Sequence, residues 1–458
     1  MRDEGSPPEG VAGGRDAFET SEADECGDAD ERDEAEECGG TGETSVIDET
    51  SDERAGSRTD SRSRPRRLLY YVSLFFEAVA VAVVGAVTRR VGRDDSLWVF
   101  GARGGTDFCE NSKYLYLSVA ADKPDVRPVW VTKNRAIVRE LQAHGYEAYH
   151  AFSPRGIWLQ LRAGTVFLTH NLKDVNRFAV GGATLVMLWH GVPLKRISWD
   201  AELAERPRPV QALSRYLYDQ YDLVSLTGSG AREAFRTGFG LPDDRLVVTG
   251  YPRTDVFFES VPGATLCTDE TELDRIRRLA DDHDVWLYMP TFREDPSAQA
   301  SEHVDFAALD AVLAERDAYL VVKLHPKERL DADLSAFDRL LELPAGVDVY
   351  PLLPATDGLI TDYSSVLFDY LLLDRPVIRY AYDLEVYRAE RGFYYDYEEL
   401  SPGPTAREFD ELLDALATAL DGDDDHAAER RAVRDRFFDE NGGGYADAVY
   451  EAVRELRG

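Results

Sequence analysis

The chain has 458 residues, 44% of them hydrophobic, with 86 Asp or Glu against 52 Lys or Arg and a formal net charge of −34. That length suits two or three domains with a sizeable core, and the absence of a basic stripe argues against nucleic-acid binding. The four cysteines (Cys26, Cys38, Cys109, Cys267) form no CxxC, and no His cluster has metal-ligand spacing. This argues against a disulfide framework, a zinc site or any bound metal, and fits a reducing compartment.

Residues 1–60 hold 21 Asp or Glu against 5 Arg and almost no large apolar side chains. Such a segment cannot offset its ordering entropy and is expected to be a disordered acidic tail. All but seven of the basic residues are arginine. An acidic, lysine-poor surface of this kind suits a chain that folds in concentrated salt, where charges are screened within a few Å. Residues 61–93 come next and contain RPRRLLYYVSLFFEAVAVAVVGAVTRR. Leu68–Val87 is about twenty residues, long enough to cross a bilayer core, but Glu77 lies at its centre and arginines flank both ends. It fits a spanning helix, an in-plane anchor or a helix docked on the protein itself. The segment is read as membrane-associated, with no orientation set by its flanks, and the expected location of the chain is the cytoplasmic face of the membrane.

From Ser96 onward, apolar β-branched runs alternate with helical stretches: LWVFGA, PVWVT, TVFLTH, TLVMLWH, DLVSLTG and RLVVTGYP. After a linker-like SVPGATLCTDE near 260–270 the pattern restarts with VWLYMPT, YLVVKLHP, VDVYP, GLITDY and PVIRYAY. Apolar strands with intervening helices imply parallel sheets covered on both faces. The expected fold class is α/β: two Rossmann-like doubly wound domains, 94–262 and 263–458, the second closed by amphipathic helices beyond residue 405.

Ligands of such sheets bind beyond the carboxyl ends of the strands, and polar motifs recur there. LWHGVPLKRI brings His190 out of a strand, with Gly191 permitting close backbone approach and Lys195 adding positive charge. That combination suits a general base beside an anionic substrate. TGYPRTD places Arg253 and YMPTFRED places Thr291 and Arg293 beyond two further strands; the forked donors of arginine suit phosphate. KLHPKE places Lys323 and His325 at another strand end, where a near-neutral imidazole can donate to a phosphate or accept a proton. In TDYSSVLFDY, Asp362 is placed to cap a helix, while Ser364 and Ser365 offer hydroxyls and backbone N–H groups at its start, a natural anion site. Each motif has a plain structural alternative, such as a capped helix, a turn or a surface ion pair. Five of them at five strand ends are harder to dismiss together.

WHGVPLK, GYPRTD, PTFRED, KLHP, TDYSSVLFDY and YDLEVYRAERGFYYDYEELSPGP fall in that order over about residues 185–405. Together they resemble the CDP-glycerol glycerophosphotransferases, the teichoic-acid primase and polymerase family. The resemblance implies a GT-B-like pair of domains, the first binding an acceptor and the second the CDP-linked donor, with the active site between them. It implies metal- and cofactor-independent transfer of glycerol phosphate, or a related polyol phosphate, from CDP-glycerol or a related CDP-polyol to a hydroxyl of a lipid-linked or glycan acceptor, releasing CMP. His190 and His325 match the family's two critical histidines, and Ser364, Ser365 and the arginines match positions around the donor diphosphate. Val192, Thr254 and Phe292 stand where the family often has Thr, Asn and Trp. A glycosyltransferase using a nucleotide-sugar, or a silent membrane scaffold keeping the fold, are the competing readings.

Overall fold

The computed structural model describes residues 79–293, 295, 298–325 and 332–457. The acidic tail, and the expected apolar helix as far as residue 78, lie outside these.

The first sheet has seven strands: β1 (Asp94–Phe100), β2 (Arg127–Thr132), β3 (Ala148–His150), β4 (Ala163–Leu168), β5 (Thr184–Met187), β6 (Leu223–Leu226) and β7 (Leu246–Val248). They run parallel in the order β3-β2-β1-β4-β5-β6-β7. The second has six: β8 (Asp284–Met289), β9 (Ala318–Val322), β10 (Leu340–Glu342), β11 (Gly358–Thr361), β12 (Val377–Tyr380) and β13 (Thr405–Ala406). These are parallel too, in the order β10-β9-β8-β11-β12-β13. Their apolar runs are continuous because both faces of each sheet are covered; β4, for example, is buried at every residue. Strand order reverses between β1 and β4 in one sheet and between β8 and β11 in the other. In sheets of this kind ligands bind at these two points, beyond the strands' carboxyl ends.

This is the two-domain architecture expected, with three local differences. VDVYP does not form a strand, and the edge position beside β9 is taken by β10. Val347 and Val349 are buried as strand residues would be, but Asp348 between them is drawn out of any ladder. It accepts hydrogen bonds from Lys113 Nζ and Tyr114 Oη, each at 2.8 Å. The short edge strands β3 and β13 were not anticipated, since three and two residues leave no readable alternation.

The third difference concerns the chain's end. Three helices α1 (Glu110–Asp122), α2 (Val366–Tyr370) and α3 (Tyr445–Arg457) join the halves of the molecule. The last was expected with the second sheet but packs on the first. Ala446, Val449, Tyr450 and Val453 share a core with Trp98, Phe100 and Phe167, and Asp255 caps the helix by accepting from the amides of Tyr445 and Ala446. A second continuous core includes residues of both sheets, from Val99 and Val166 to Leu287 and Leu359.

Residues 79–88 are helical. Val81 and Thr88 face inward, whereas Val79, Val83 and Val87 are exposed at 42%, 59% and 59%. Among the described residues, no helix is long and apolar enough to cross a membrane.

Candidate functional site

The crevice of the first sheet is built around one carboxylate. Asp174 is fully buried and accepts backbone N–H groups from Thr169 and His170, each at 2.8 Å, and from Gly104 at 2.7 Å. It thereby ties the loop after β1 to the loop after β4. Gly101 makes this approach possible: a Cβ there would lie 2.2 Å from the Asp174 carbonyl oxygen.

On this frame two imidazoles stack. The rings of His170, leaving β4, and His190, leaving the neighbouring β5, lie 4.2 Å apart at 7°. Trp189 covers part of His190 from 4.1 Å. Nδ1 of His190 lies 3.0 Å from the carbonyl oxygen of Thr169. A carbonyl only accepts, so Nδ1 carries the proton and Nε2 keeps its lone pair when the ring is neutral. Burial, and then the neighbouring His170, push His190 down to about 3; burial pushes His170 down to about 4 against the pull of Glu110. Both rings are therefore neutral at pH 7.

Charged side chains surround the pair. Glu110, at the start of α1, accepts from Arg253 at 2.5 Å and from Arg103 at 3.0 Å. Burial would raise this carboxylate, but Arg253 and Arg103 outweigh it and hold Glu110 at about 2. Arg253 reaches onward to Asp369 of α2, at 2.6 Å, and Tyr350 donates to the same carboxylate at 2.7 Å. An ion pair buried on both sides thus links the two sheets, and Lys113 with Asp348 repeats the device at 2.8 Å. Arg103, Glu110 and Trp189 all have positive φ, of 43°, 63° and 56°. Such backbone is uncommon for these residue types and gathers where surrounding structure imposes it, commonly at functional sites.

The second sheet contributes the opposite wall. Gly191 has φ 151°, and a Cβ there would lie 2.3 Å from Ser365 Oγ and 3.4 Å from an Arg253 nitrogen. The tip of β5 therefore touches the turn after β11 directly. Among the described residues, neither serine hydroxyl has a hydrogen-bond partner, and both residues are half-buried. Asp362 does not cap α2. Buried at 1% exposure, it accepts from the Thr291 amide at 2.9 Å and from Arg293 at 2.9 Å, fixing the loop after β8. Asp383 holds the other edge of Arg293 at 2.6 Å.

The remaining expected residues are placed as follows. Lys323 donates to the Ala345 carbonyl at 2.9 Å, and burial followed by the charge of Arg103 pushes it down to about 8. Its neighbourhood to Arg103 brings the tip of β9 toward that of β1. His325 is exposed, its ring 5.2 Å from that of Phe292 in the loop after β8. Lys195 is half-buried over the Tyr387 ring, in a strand-like bridge between Lys195 and Phe393 that crosses from one domain to the other. Residues that sequence reasoning passed over are Arg103, Glu110, His170 and Asp369. Of these, only His170 carried a readable signal, as the polar residue ending TVFLTH.

Residues 84–455 match the model of the CDP-Glycerol:Poly(glycerophosphate) glycerophosphotransferase family. The chain belongs to this family. Similar proteins include the teichoic acid glycerol-phosphate transferase of Staphylococcus aureus, 29% identical over 70% of this chain and 83% of its own. The teichoic acid poly(glycerol phosphate) polymerase of Staphylococcus epidermidis is 29% identical over 67% of this chain. The teichoic acid poly(ribitol-phosphate) polymerase of Bacillus spizizenii is 34% identical over 51%. The chain spans 43% and 38% of the length of these two polymerases. Among solved structures, the wall teichoic acid polymerase TagF has the same GT-B-like fold, with a TM-score of 0.65 at 23% identity over 87% of this chain and 99% of that one.

Proposed function

We propose that this family member transfers glycerol phosphate, or a related polyol phosphate, from a CDP-activated donor to an acceptor hydroxyl, releasing CMP, in synthesis of a cell-surface polymer. The observation that carries this reading is the meeting of the His190–Gly191 tip of one sheet with Ser365 of the other. A base and a set of hydroxyl donors thereby flank one crevice.

The acceptor oxygen attacks the β-phosphorus of the donor and its proton passes to Nε2 of His190. The bond from that phosphorus to the bridging oxygen breaks, and CMP leaves with the electron pair. A ring held near 3 is a weak base, but a diphosphate placed beside it favours the protonated form and raises that value in the complex. Ser364, Ser365, Thr291, Lys195 and Lys323 offer donors to the phosphates, and Gly191 lets the backbone approach them. Arg253 and Arg293, each gripped by two carboxylates, act less as phosphate ligands than as struts that fix the loops behind the crevice. His325 is assigned to the leaving phosphate. The relatives include both glycerol and ribitol enzymes, which supports a polyol phosphate as the cargo. Exposed valines along 79–88, followed by Arg89 and Arg90, support a docking face for the cytoplasmic leaflet, where a lipid-linked acceptor resides.

The test is product analysis with CDP-glycerol, CDP-ribitol and sugar nucleotides in the presence of membrane acceptor. CMP release from a CDP-polyol, lost by a factor of about 10² or more in His190→Ala, is expected. Turnover only of a sugar nucleotide, or undiminished activity in that variant, overturns the reading.

A further inference from the structure

The stacked histidines are not equivalent. Thr169 holds both by the same edge, its carbonyl oxygen on Nδ1 of His190 and its hydroxyl 3.0 Å from Nδ1 of His170. With the rings parallel to within 7°, both Nε2 atoms point away from Thr169, side by side.

Their proton states differ, and the reason is local. The Thr169 hydroxyl oxygen already accepts the backbone N–H of Arg103 at 3.4 Å. Its own proton has two destinations: Nδ1 of His170 at 3.0 Å, or Asp174 Oδ2 at 3.5 Å. That carboxylate oxygen already receives the amides of Thr169 and His170 at 2.8 Å, so the shorter bond favours donation to His170 over donation to Asp174. Nδ1 of His170 is then an acceptor and its proton sits on Nε2. His190, donating through Nδ1, is the reverse. The pair presents one lone pair and one N–H to the same crevice.

Resting on the transferase reading, we infer that His170 is a second catalytic imidazole, whose Nε2–H hydrogen-bonds a non-bridging oxygen of the transferring phosphoryl group while Nε2 of His190 takes the acceptor hydroxyl's proton. His170 keeps its proton throughout, and the one proton moved is the acceptor's. The charged groups facing the pair are Glu110 from α1, Arg103 after β1, Arg253 after β7, and Asp174 behind the His170 amide. Glu110 is already shared between two guanidiniums. A second proton on the stack would therefore meet His190⁺ at 4.2 Å with little left to balance it, so the stack takes up one proton at a time.

Two measurements test this. The first is the ¹⁵N resonances of the imidazoles in the free full-length protein, assigned with single His variants. At pH 7 they are expected to show Nδ1–H on His190 and Nε2–H on His170, both rings neutral. A Nδ1–H tautomer on His170, or a ring charged at pH 7, overturns the assignment whether or not any substrate is turned over. The second is CMP release from CDP-glycerol by His170→Phe, which keeps the stacked ring and removes both nitrogens. The loss expected is about 10²–10³-fold in kcat, the usual cost of one oxyanion donor, with donor KM and unfolding midpoint little changed and part of the rate restored in His170→Gln. A His170→Phe kcat within threefold of the parent overturns the role. If the parent releases CMP from no CDP-polyol, the transferase reading itself has failed, and the resonance measurement still decides the proton states.

Discussion

At Gly191 one missing Cβ determines how closely the two halves of the site approach. A methyl group there would lie 2.3–2.4 Å from Ser365 Oγ and Cβ, and φ 151° is itself unfavourable for alanine. Gly191→Ala is expected to cost about 1–3 kcal/mol of stability and to lower kcat for CMP release at least tenfold, because the seam opens where the donor phosphates are proposed to bind. Thermal unfolding and steady-state kinetics on one preparation check both, and unchanged kinetics would mean that the seam is not part of the site. The histidine pair gives a pH dependence. Both folded-state values, about 3 and about 4, lie below the ~6.5 of a free imidazole. The unfolded chain therefore binds more protons between those limits, and stability falls as pH drops from about 6.5 toward 3. The unfolding midpoint at pH 4.5 is expected to sit below that at pH 7, by a smaller margin in His170→Phe/His190→Phe. An equal margin in parent and double variant would contradict the depressed values.

The two domains are joined through charge rather than apolar contact alone. Arg253 is 2% exposed and Asp369 fully buried; burial pushes Asp369 up while Arg253 and Tyr350 hold it back. Removing one partner strands the other, so Arg253→Met is expected to destabilise by about 3–5 kcal/mol, whereas Arg253→Met/Asp369→Leu recovers much of the loss. Chemical denaturation of the two single variants and the double variant closes the cycle, and additive losses would show that the pair is not coupled. None of this was legible in the sequence. GYPRTD announced an arginine at a strand end and TDYSSVLFDY a capped helix, but nothing in either said that Arg253 would pair with Asp369, because the pairing depends on how the sheets dock. Periodicity, by contrast, made most of the strands readable, since a strand buried on both faces has to be apolar throughout. It misled at VDVYP, where the alternation was real but Asp348 answers to Lys113 on α1. The placing of polar residues at strand ends was readable wherever a motif was quoted whole, as in WHGVPLK. It was missed at His170, where a single polar residue after an apolar run looks like an ordinary end of strand.

Across the whole molecule, the charge imbalance of −34 and the near-absence of lysine act on a different length scale from these buried pairs. Arg253 with Asp369 and Arg293 with Asp362 are shut away from solvent, so salt changes them little. The surface carboxylates repel one another over distances comparable to the ~10 Å screening length at 0.1 M, which falls to about 3 Å at 1 M. Raising KCl from 0.1 to 2 M should therefore relieve the repulsion while leaving these buried ion pairs intact. The unfolding midpoint is expected to rise over that range, and by a similar amount in Arg253→Met, because the lost pair is insensitive to screening. Surface pairs such as Arg236 with Glu233, about half and more than two-thirds exposed, pull the other way, but solvent already screens each of them. A midpoint that stays flat or falls with KCl, measured by scanning calorimetry, would mean that those pairs outweigh the net repulsion and that the acidic composition is not an adaptation to salt.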